Sequence, residues 1–175
     1  MTTLTHTPPA TITHTVISLL GDHQPAITVH HARTPDARIT VALGPVLMTF
    51  YSCAAAQGLL EAFHSARAHS AQLPAALPAV AGTHAPGTRI TAAIDWTRTP
   101  TYAAVAQSGV NQLRSQTLHW VELYTAGITW QIRDRAALDA ALDTLSDLHT
   151  LAIAAFLDGP SRSADPRIDP HTAAS

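Results

Sequence analysis

The sequence contains no lysine, only one cysteine and few charged residues. All ten residues of the Lys/Arg class are arginines, and charged residues make up 13% of the chain. With a net charge of -2, the chain has no overall attraction for nucleic acid or an anionic membrane, so any anion site must be a local arginine patch. Because Cys53 is alone, an internal disulfide is excluded, and we expect a cytoplasmic protein.

Long apolar segments are lacking too. No apolar run approaches the ~18 residues of a membrane-spanning helix, and the N-terminus MTTLTHTPPA lacks the basic start and apolar centre of a signal peptide. We therefore expect no membrane association. The lysine-free composition, rich in Ala, His and Pro, is typical of a GC-rich bacterial genome, for example an actinobacterial one.

Metal-ligand spacing is absent among the eleven histidines. His30 and His31 are adjacent, so on a strand they point to opposite faces and cannot converge on one ion. His64 and His69 miss the i,i+4 spacing that places two ligands on one face of a helix. We expect scattered surface histidines and no metal site.

Residues for catalysis are equally scarce. There is no GxSxG, no P-loop and no GxGxxG, and Glu61 and Glu122 are the only glutamates. Cys53 begins a predicted helix, where the helix dipole can lower a thiol pKa. The alanines that follow it indicate packing, so we favour a buried structural cysteine over a nucleophile. We expect no enzyme activity and no cofactor.

Two halves of the chain show the same order of patterns. Period-2 alternation predicts strands over 11–20, 27–33, 38–43 and 46–51, and then over 88–96, 102–107, 118–124 and 128–133. Helical spacing follows in each half, over 53–70 with Ser52 as N-cap and after Asp134 as N-cap. These patterns predict an α+β protein of two pseudo-repeated ββββα units, with antiparallel sheets each covered by one helix. A single mixed sheet with two helices on one face is the alternative.

The halves can be aligned by number. Ile39, Val41 and Leu43 are matched with His119, Val121 and Leu123, whereas Val46, Met48 and Phe50 are matched with Ile128, Trp130 and Ile132. This alignment predicts that the second hairpin turn is two residues longer than the first. The predicted divisions are a tail at 1–10, a first unit at 11–71, a Pro/Ala-rich linker at 72–87, a second unit at 88–158 and a tail at 159–175. Residues 108–116 are expected to form a long polar loop.

The strand face opposite each helix carries an inventory suited to single-stranded nucleic acid. Its members are Arg38, Thr40, Thr49 and Tyr51 in the first half, and Arg89, Trp120, Tyr124, Gln131 and Arg133 in the second. Arginines contact phosphates, aromatic rings stack on bases, and Thr and Gln supply hydrogen bonds. Burial of Trp120 and Tyr124 between the halves, or in an oligomer interface, is the alternative.

The tandem ββββα order over Thr11 to Leu157 resembles the Whirly and PUR-type single-stranded nucleic-acid-binding folds, in which two such units pack with their helices together. The SsgA-like sporulation regulators of actinobacteria are similar to that fold and act through protein partners. The segment FYSCAAAQGL, from Phe50 to Leu59, resembles the end of their middle strand and short helix. The lysine-containing strand motif of plant Whirly proteins is absent here.

Two functions therefore follow as hypotheses. The first is binding of single-stranded DNA or RNA through the open sheet faces, as the resemblance to Whirly and PUR-type folds also implies. The second is a non-enzymatic adaptor or oligomeric regulator with protein partners or self-association, in which the sheet face and an aspartate stripe on the second helix meet the partner.

Overall fold

Alternating apolar and polar residues form the strands of this chain, and a change to helical spacing forms each helix. The computed structural model describes residues 11–78, 90–111 and 115–163. Strands β1 to β4 are Thr15–Leu19, Ala26–His30, Arg38–Leu43 and Val46–Phe50, followed by helix α1, Cys53–Arg67. Strands β5 to β8 are Ala92–Trp96, Tyr102–Asn111, Gln116–Thr125 and Ile128–Ile132, followed by helix α2, Arg135–Ala155. The α+β class with two successive ββββα units is confirmed.

Some predicted segments lie outside the described residues. These are the tail at 1–10, residues 79–89 in and just beyond the predicted linker, and residues 164–175 of the predicted C-terminal tail. Short 3-10 turns at Ser70–Gln72 and Gly159–Arg162 follow the two helices. Within the segments that are described, no helix is both long and apolar enough to cross a membrane.

The two units exchange their first strands. What we call the first sheet has the order β2-β3-β4-β5, and the second sheet has the order β1-β8-β7-β6. Strand β1 therefore belongs to the sheet of the second unit, and β5 to the sheet of the first. Neither unit completes a four-stranded sheet without a strand from the other.

This exchange corrects the prediction of wholly antiparallel sheets. The pairs β2–β3, β3–β4, β6–β7 and β7–β8 are antiparallel, whereas β1–β8 and β4–β5 are parallel. Parallel pairing requires a connection that crosses from one end of the sheet to the other, which a short hairpin turn cannot provide. Here the long separation in sequence between the exchanged strand and its neighbour provides that connection.

Backbone hydrogen bonds at the two exchanged strands occupy matching positions. In the second sheet, Thr15 N–H donates to Gly127 O and Arg133 N–H donates to Leu19 O, both at 3.0 Å. In the first sheet, Ala92 N–H donates to Pro45 O at 3.0 Å, and the Tyr51 N–H donates to Trp96 O at 3.2 Å. The same junction is therefore built twice, which supports the internal repeat.

The hairpin register corrects the predicted alignment of the halves. Leu43 pairs with Val46, and Thr125 pairs with Ile128, so both turns contain two residues. Gly44 has a φ of 55° before a proline, and Ala126 and Gly127 both have positive φ, as tight two-residue hairpin turns require. Leu43 thus corresponds to Thr125 rather than to Leu123. Because apolar residues alternate along both strands, the two halves match equally well when their alignment is shifted by two residues. Only the length of the hairpin turn distinguishes between the two alignments.

The prediction of a loop over residues 108–116 is wrong at both ends, and residues 112–114 of this segment lie outside the described part of the chain. Strand β6 continues to Asn111 and β7 begins at Gln116, with Ser108 paired to His119 and Gly109 paired to Leu118. Strand β2 ends earlier, at the pair of His30 with Arg38. The β6–β7 hairpin therefore extends beyond its counterpart as an arm, which we call the β6–β7 arm (108–111 and 116–119). Polar residues such as Ser108 and Asn111 therefore belong to a strand here rather than to a loop.

The helices pack against each other and against the inner faces of both sheets. Helix α1 contacts β6 and β7 as well as β4, and α2 contacts β2, β3 and β8. The rings of Phe63 on α1 and Trp130 on β8 meet edge-to-face, with 5.6 Å between their centroids. Val41, Leu123 and Leu148 are fully buried in the same core. Each helix therefore packs against strands from both units.

Each helix N-terminus is capped from within its unit and again from the other. The predicted caps are confirmed: the Ser52 hydroxyl accepts from Ala55 N–H at 3.2 Å, and the Asp134 carboxylate accepts from Ala137 N–H at 2.8 Å. The carboxylate of Asp158, which follows α2, accepts from the first two N–H groups of α1 at 3.0 Å. Since unsatisfied N–H groups at a helix start need acceptors, these caps stabilise the contact between the units.

Candidate functional site

The strongest cluster of polar and aromatic side chains lies on the second sheet, on the face away from the helices, which we call the outer face. On β7 the inner residues Val121 and Leu123 are fully buried, so the alternating residues Trp120, Glu122 and Tyr124 face outward. The register places Gln131 of β8 and Val105 of β6 on either side of Glu122. Strand pairing thus brings three of the predicted site residues, Trp120, Tyr124 and Gln131, around one carboxylate.

Glu122 accepts hydrogen bonds from four side chains on three strands. Its Oε1 accepts from the indole Nε1 of Trp120 at 3.1 Å and from Nε2 of Gln131 at 3.2 Å. Its Oε2 accepts from the Tyr124 hydroxyl at 2.5 Å and from Nε2 of Gln107 at 3.4 Å. We call these five residues the Glu122 cluster. The carboxylate fixes the orientation of both aromatic rings on the surface of the sheet.

The hydrogen bonds also set the protonation state of the cluster. The bond from Tyr124, followed by that from Trp120, lowers the pKa of Glu122 below its usual value, although desolvation by partial burial acts in the opposite direction. The same bond raises the pKa of Tyr124, because loss of its proton would leave two negative oxygens in contact. At neutral pH the cluster therefore contains an ionised carboxylate and a neutral phenol.

The Trp120 ring is held between Arg133 and Gly109. The guanidinium carbon of Arg133 lies 5.6 Å from the centroid of the indole, within the range of a cation–π contact. A Cβ built on Gly109 of β6 would lie 3.2 Å from Cη2 of the ring, so only glycine leaves the full space for it. Both contacts, together with the hydrogen bond to Glu122, restrain the position of the indole.

The first sheet presents a smaller polar outer face. Thr28, Thr40 and Thr49 lie side by side in the register and lead to Asp95 on β5. Arg38 lies at one end of this face and is exposed. The structure thus brings Arg38, Thr40 and Thr49 together on one face, as predicted, but that face also carries an acidic residue.

Two predicted site residues belong to neither of these two groups. Tyr51 follows β4 and is 46% exposed, at a groove of about 180 Å³ that it shares with Pro35, Phe156 and Leu157. It is therefore separate from the row of threonines. Arg89 lies outside the described residues.

The predicted site residues do not include Glu122 and Gln107, which the structure places in the cluster. Glu122 was considered only as a candidate acid or base, although it alternates with Trp120 and Tyr124 on a predicted strand. That alternation places the three side chains on one face. The signal in the sequence was a glutamate, one of only two in the chain, that lies between two aromatic residues with hydrogen-bond donor groups. Gln107 gave no such signal, because its position beside Trp120 depends on the strand register.

Cys53 has the properties of a structural cysteine. The side chain is fully buried, and burial, followed by the charge of Asp158, raises the pKa of its thiol to about 11, although Arg162 acts in the opposite direction. A thiol with that pKa is protonated at neutral pH and is a poor nucleophile. The interpretation of Cys53 as a packing residue is confirmed.

A concave feature lies beside the β5–β6 connection. It has a volume of about 420 Å³ and its walls include Asp95, Trp96, Arg98 and Thr99. The indole N–H of Trp96 has no hydrogen-bond partner among the described residues, but this atom is itself buried and out of reach of solvent. No group of three or more potential metal ligands occurs in the described segments. The Glu122 cluster therefore remains the better defined candidate.

Comparison of the chain with protein-family models, curated proteins and solved structures finds no match. The functional assignment therefore depends on the geometry of the two outer faces.

Proposed function

We propose that this protein binds single-stranded nucleic acid through the outer face of its second sheet. The observation that supports the proposal is the Glu122 cluster, in which hydrogen bonds orient Trp120 and Tyr124 on a solvent-facing sheet beside Arg133. Aromatic side chains held in place in this way provide stacking surfaces for bases at little entropic cost. The rings are ordered before any ligand arrives.

The charges of the cluster determine which part of the ligand it can contact. Ionised Glu122 repels phosphates, so the backbone of the strand runs along the edge of the cluster, next to Arg133. The bases then face the centre, where the oxygen of the Gln131 amide can accept hydrogen bonds from exocyclic amino groups, since the amide Nε2 is the group that donates to Glu122. Stacking on Tyr124, whose side chain is 37% exposed, accompanies these bonds. This arrangement favours bases with amino groups, such as cytosine and adenine, over thymine or uracil.

The arginine on the first sheet provides a second phosphate contact in this proposal. Arg38 is exposed, and Thr40 and Thr49 beside it supply hydroxyl groups. With two arginines involved, the slope of log affinity against log salt is about -1.4, because each phosphate contact on a single strand contributes about -0.7. This slope is smaller than that of a basic nucleic-acid binder and agrees with the low charge of the chain.

Fluorescence anisotropy of a labelled single strand of ~30 nucleotides, repeated over a range of salt concentrations, tests the proposal. We expect binding that weakens with salt and is reduced by Arg133→Ala and further by Arg38→Ala. Arg67→Ala, which removes an exposed arginine of α1 that pairs with Asp139 of α2 at 3.5 Å, is the control for loss of one positive charge and should bind as the unchanged protein does. Absence of binding at low salt, or equal losses in all three variants, would contradict the proposal.

A further inference from the structure

The free edge of the second sheet is unusual for a protein that remains a monomer. Strand β6 lies at this edge and spans ten residues, Tyr102–Asn111, whose sequence YAAVAQSGVN contains no charge and no proline. An edge strand presents unpaired backbone N–H and C=O groups along its free side. Natural monomers usually shorten such edges or protect them with charges, bulges or proline.

The other three edges of the two sheets are short. Strands β1, β2 and β5 span five residues each. β5 also carries the exposed Asp95, and β2 ends at the pair of His30 with Arg38. The turn after β2 is held against α2, because Arg33 N–H donates to Ala155 O at 2.7 Å. Three of the four edge strands are therefore short, whereas the fourth, β6, is twice as long.

In the internal repeat, β2 is the counterpart of β6, so the difference in length between these two edge strands needs an explanation. The hydrogen-bonded register that ends at His30 in β2 continues in β6 through the β6–β7 arm. Tyr102, Val105 and Val110 on β6 have 43%, 42% and 69% of their surface exposed. Exposed apolar side chains thus occur along the length of β6, and the extension adds Val110, the most exposed of them.

We propose that β6 pairs antiparallel with β6 of a second copy of this chain. An uncharged strand can face itself across a twofold axis without placing like charges opposite each other. Half of its residues are small (Ala, Ser or Gly), so two backbones can approach to the spacing of a sheet. The pairing joins the two second sheets into one continuous sheet and places the two Glu122 clusters on its surface. It does not depend on nucleic-acid binding.

The oligomeric state of the full chain tests the pairing directly. Sedimentation velocity over a range of concentrations should show a dimer for the unchanged protein and a monomer for the double variant Val105→Lys plus Val110→Lys. Both positions are exposed, so the fold should survive, and circular dichroism verifies that it does. Val16→Lys, at an exposed position on the opposite edge strand of the same sheet, is the matched control and should remain dimeric.

Cysteine cross-linking identifies the strand involved. Cys53 is fully buried, whereas Ala103, Ala106 and Ser108 are exposed, so a cysteine introduced at any of these three positions is the reactive thiol in each chain. A short bismaleimide should link two copies best at the position nearest the twofold axis, and Ser18→Cys on β1 should not link. A monomeric unchanged protein, a dimer that survives the two lysines, or equal linking through β1 would each overturn the proposal.

Discussion

The indole N–H of Trp120 donates to the carboxylate of Glu122, two residues further along the same strand, at 3.1 Å. Tyr124 donates to the same carboxylate from the other side. Three alternating residues of β7 thus form one hydrogen-bonded unit on the outer face of the second sheet. In this account, the acidic residue organises the aromatic surface rather than contacting a phosphate.

Glu122→Gln is expected to weaken nucleic-acid binding severalfold although it removes a negative charge. The new amide offers only one oxygen to the four donors, so Trp120 and Tyr124 lose their fixed orientation. Anisotropy titrations measure the effect, with Glu61→Gln on α1 as the control for loss of one negative charge. Tighter binding by Glu122→Gln would show that the carboxylate acts only as a repelling charge.

The stability of the protein should depend on the ionisation of Glu122. Hydrogen bonds lower the pKa of this residue from 4.5 in the folded state, so its contribution to stability is present above that value and is lost as the pH falls through the folded pKa. Urea unfolding at several pH values measures this dependence. Glu122→Gln should remove part of the acid-side slope, and an unchanged slope would contradict the role of the cluster in the folded state.

The opposite sign is expected for Tyr124 at high pH. Its pKa is raised from 10.0 in the folded state, so its contribution to stability is present below that value and decreases as the pH rises through the folded pKa. Tyr124→Phe, which removes the ionisable group, should flatten the alkaline limb of the stability curve relative to that of the unchanged protein. An unchanged alkaline limb would show that the hydrogen bond to Glu122 is not retained in solution.

Asp134→Ala should destabilise the protein more than the corresponding change at the other helix cap. The buried carboxylate of Asp134 accepts from Ala137 N–H, from Gly21 N–H at the end of β1 and from Leu77 N–H. Loss of a cap and of two further acceptors should cost about 3 kcal/mol, whereas Ser52→Ala should cost about 1 kcal/mol. Chemical denaturation measures both, and equal costs would indicate that Asp134 does not join the two units.

The sequence predicted the local structure of this chain better than its connections. Both helix caps, Ser52 and Asp134, and the two faces of each strand follow from residue chemistry and periodicity. The exchange of β1 and β5 does not, because the alternation of Val16 and Ile17 is the same whichever strand lies beside β1. A period of two identifies the buried face of a strand but contains no information about its neighbour.

The candidate site was predicted as a face but not as a cluster. Trp120, Tyr124 and Gln131 were assigned to one surface because strand periodicity places them there. Their convergence on Glu122 depends on the register between β7 and β8, and the alignment of the two halves had placed β7 two residues away from its true position. The two-residue turn at Ala126 and Gly127 determines that register, and its length became clear only from the paired residues.

If single-stranded nucleic acid contacts Trp120, the indole N–H signals of the three tryptophans in the NMR spectrum should report that contact. Trp96 and Trp130 are almost fully buried and serve as internal controls, and Trp120→Phe identifies the third signal in the NMR spectrum. On addition of a single-stranded oligonucleotide, the account predicts that the Trp120 signal shifts while the other two remain in place. Binding that leaves the Trp120 signal unchanged, or no binding at all, would contradict it.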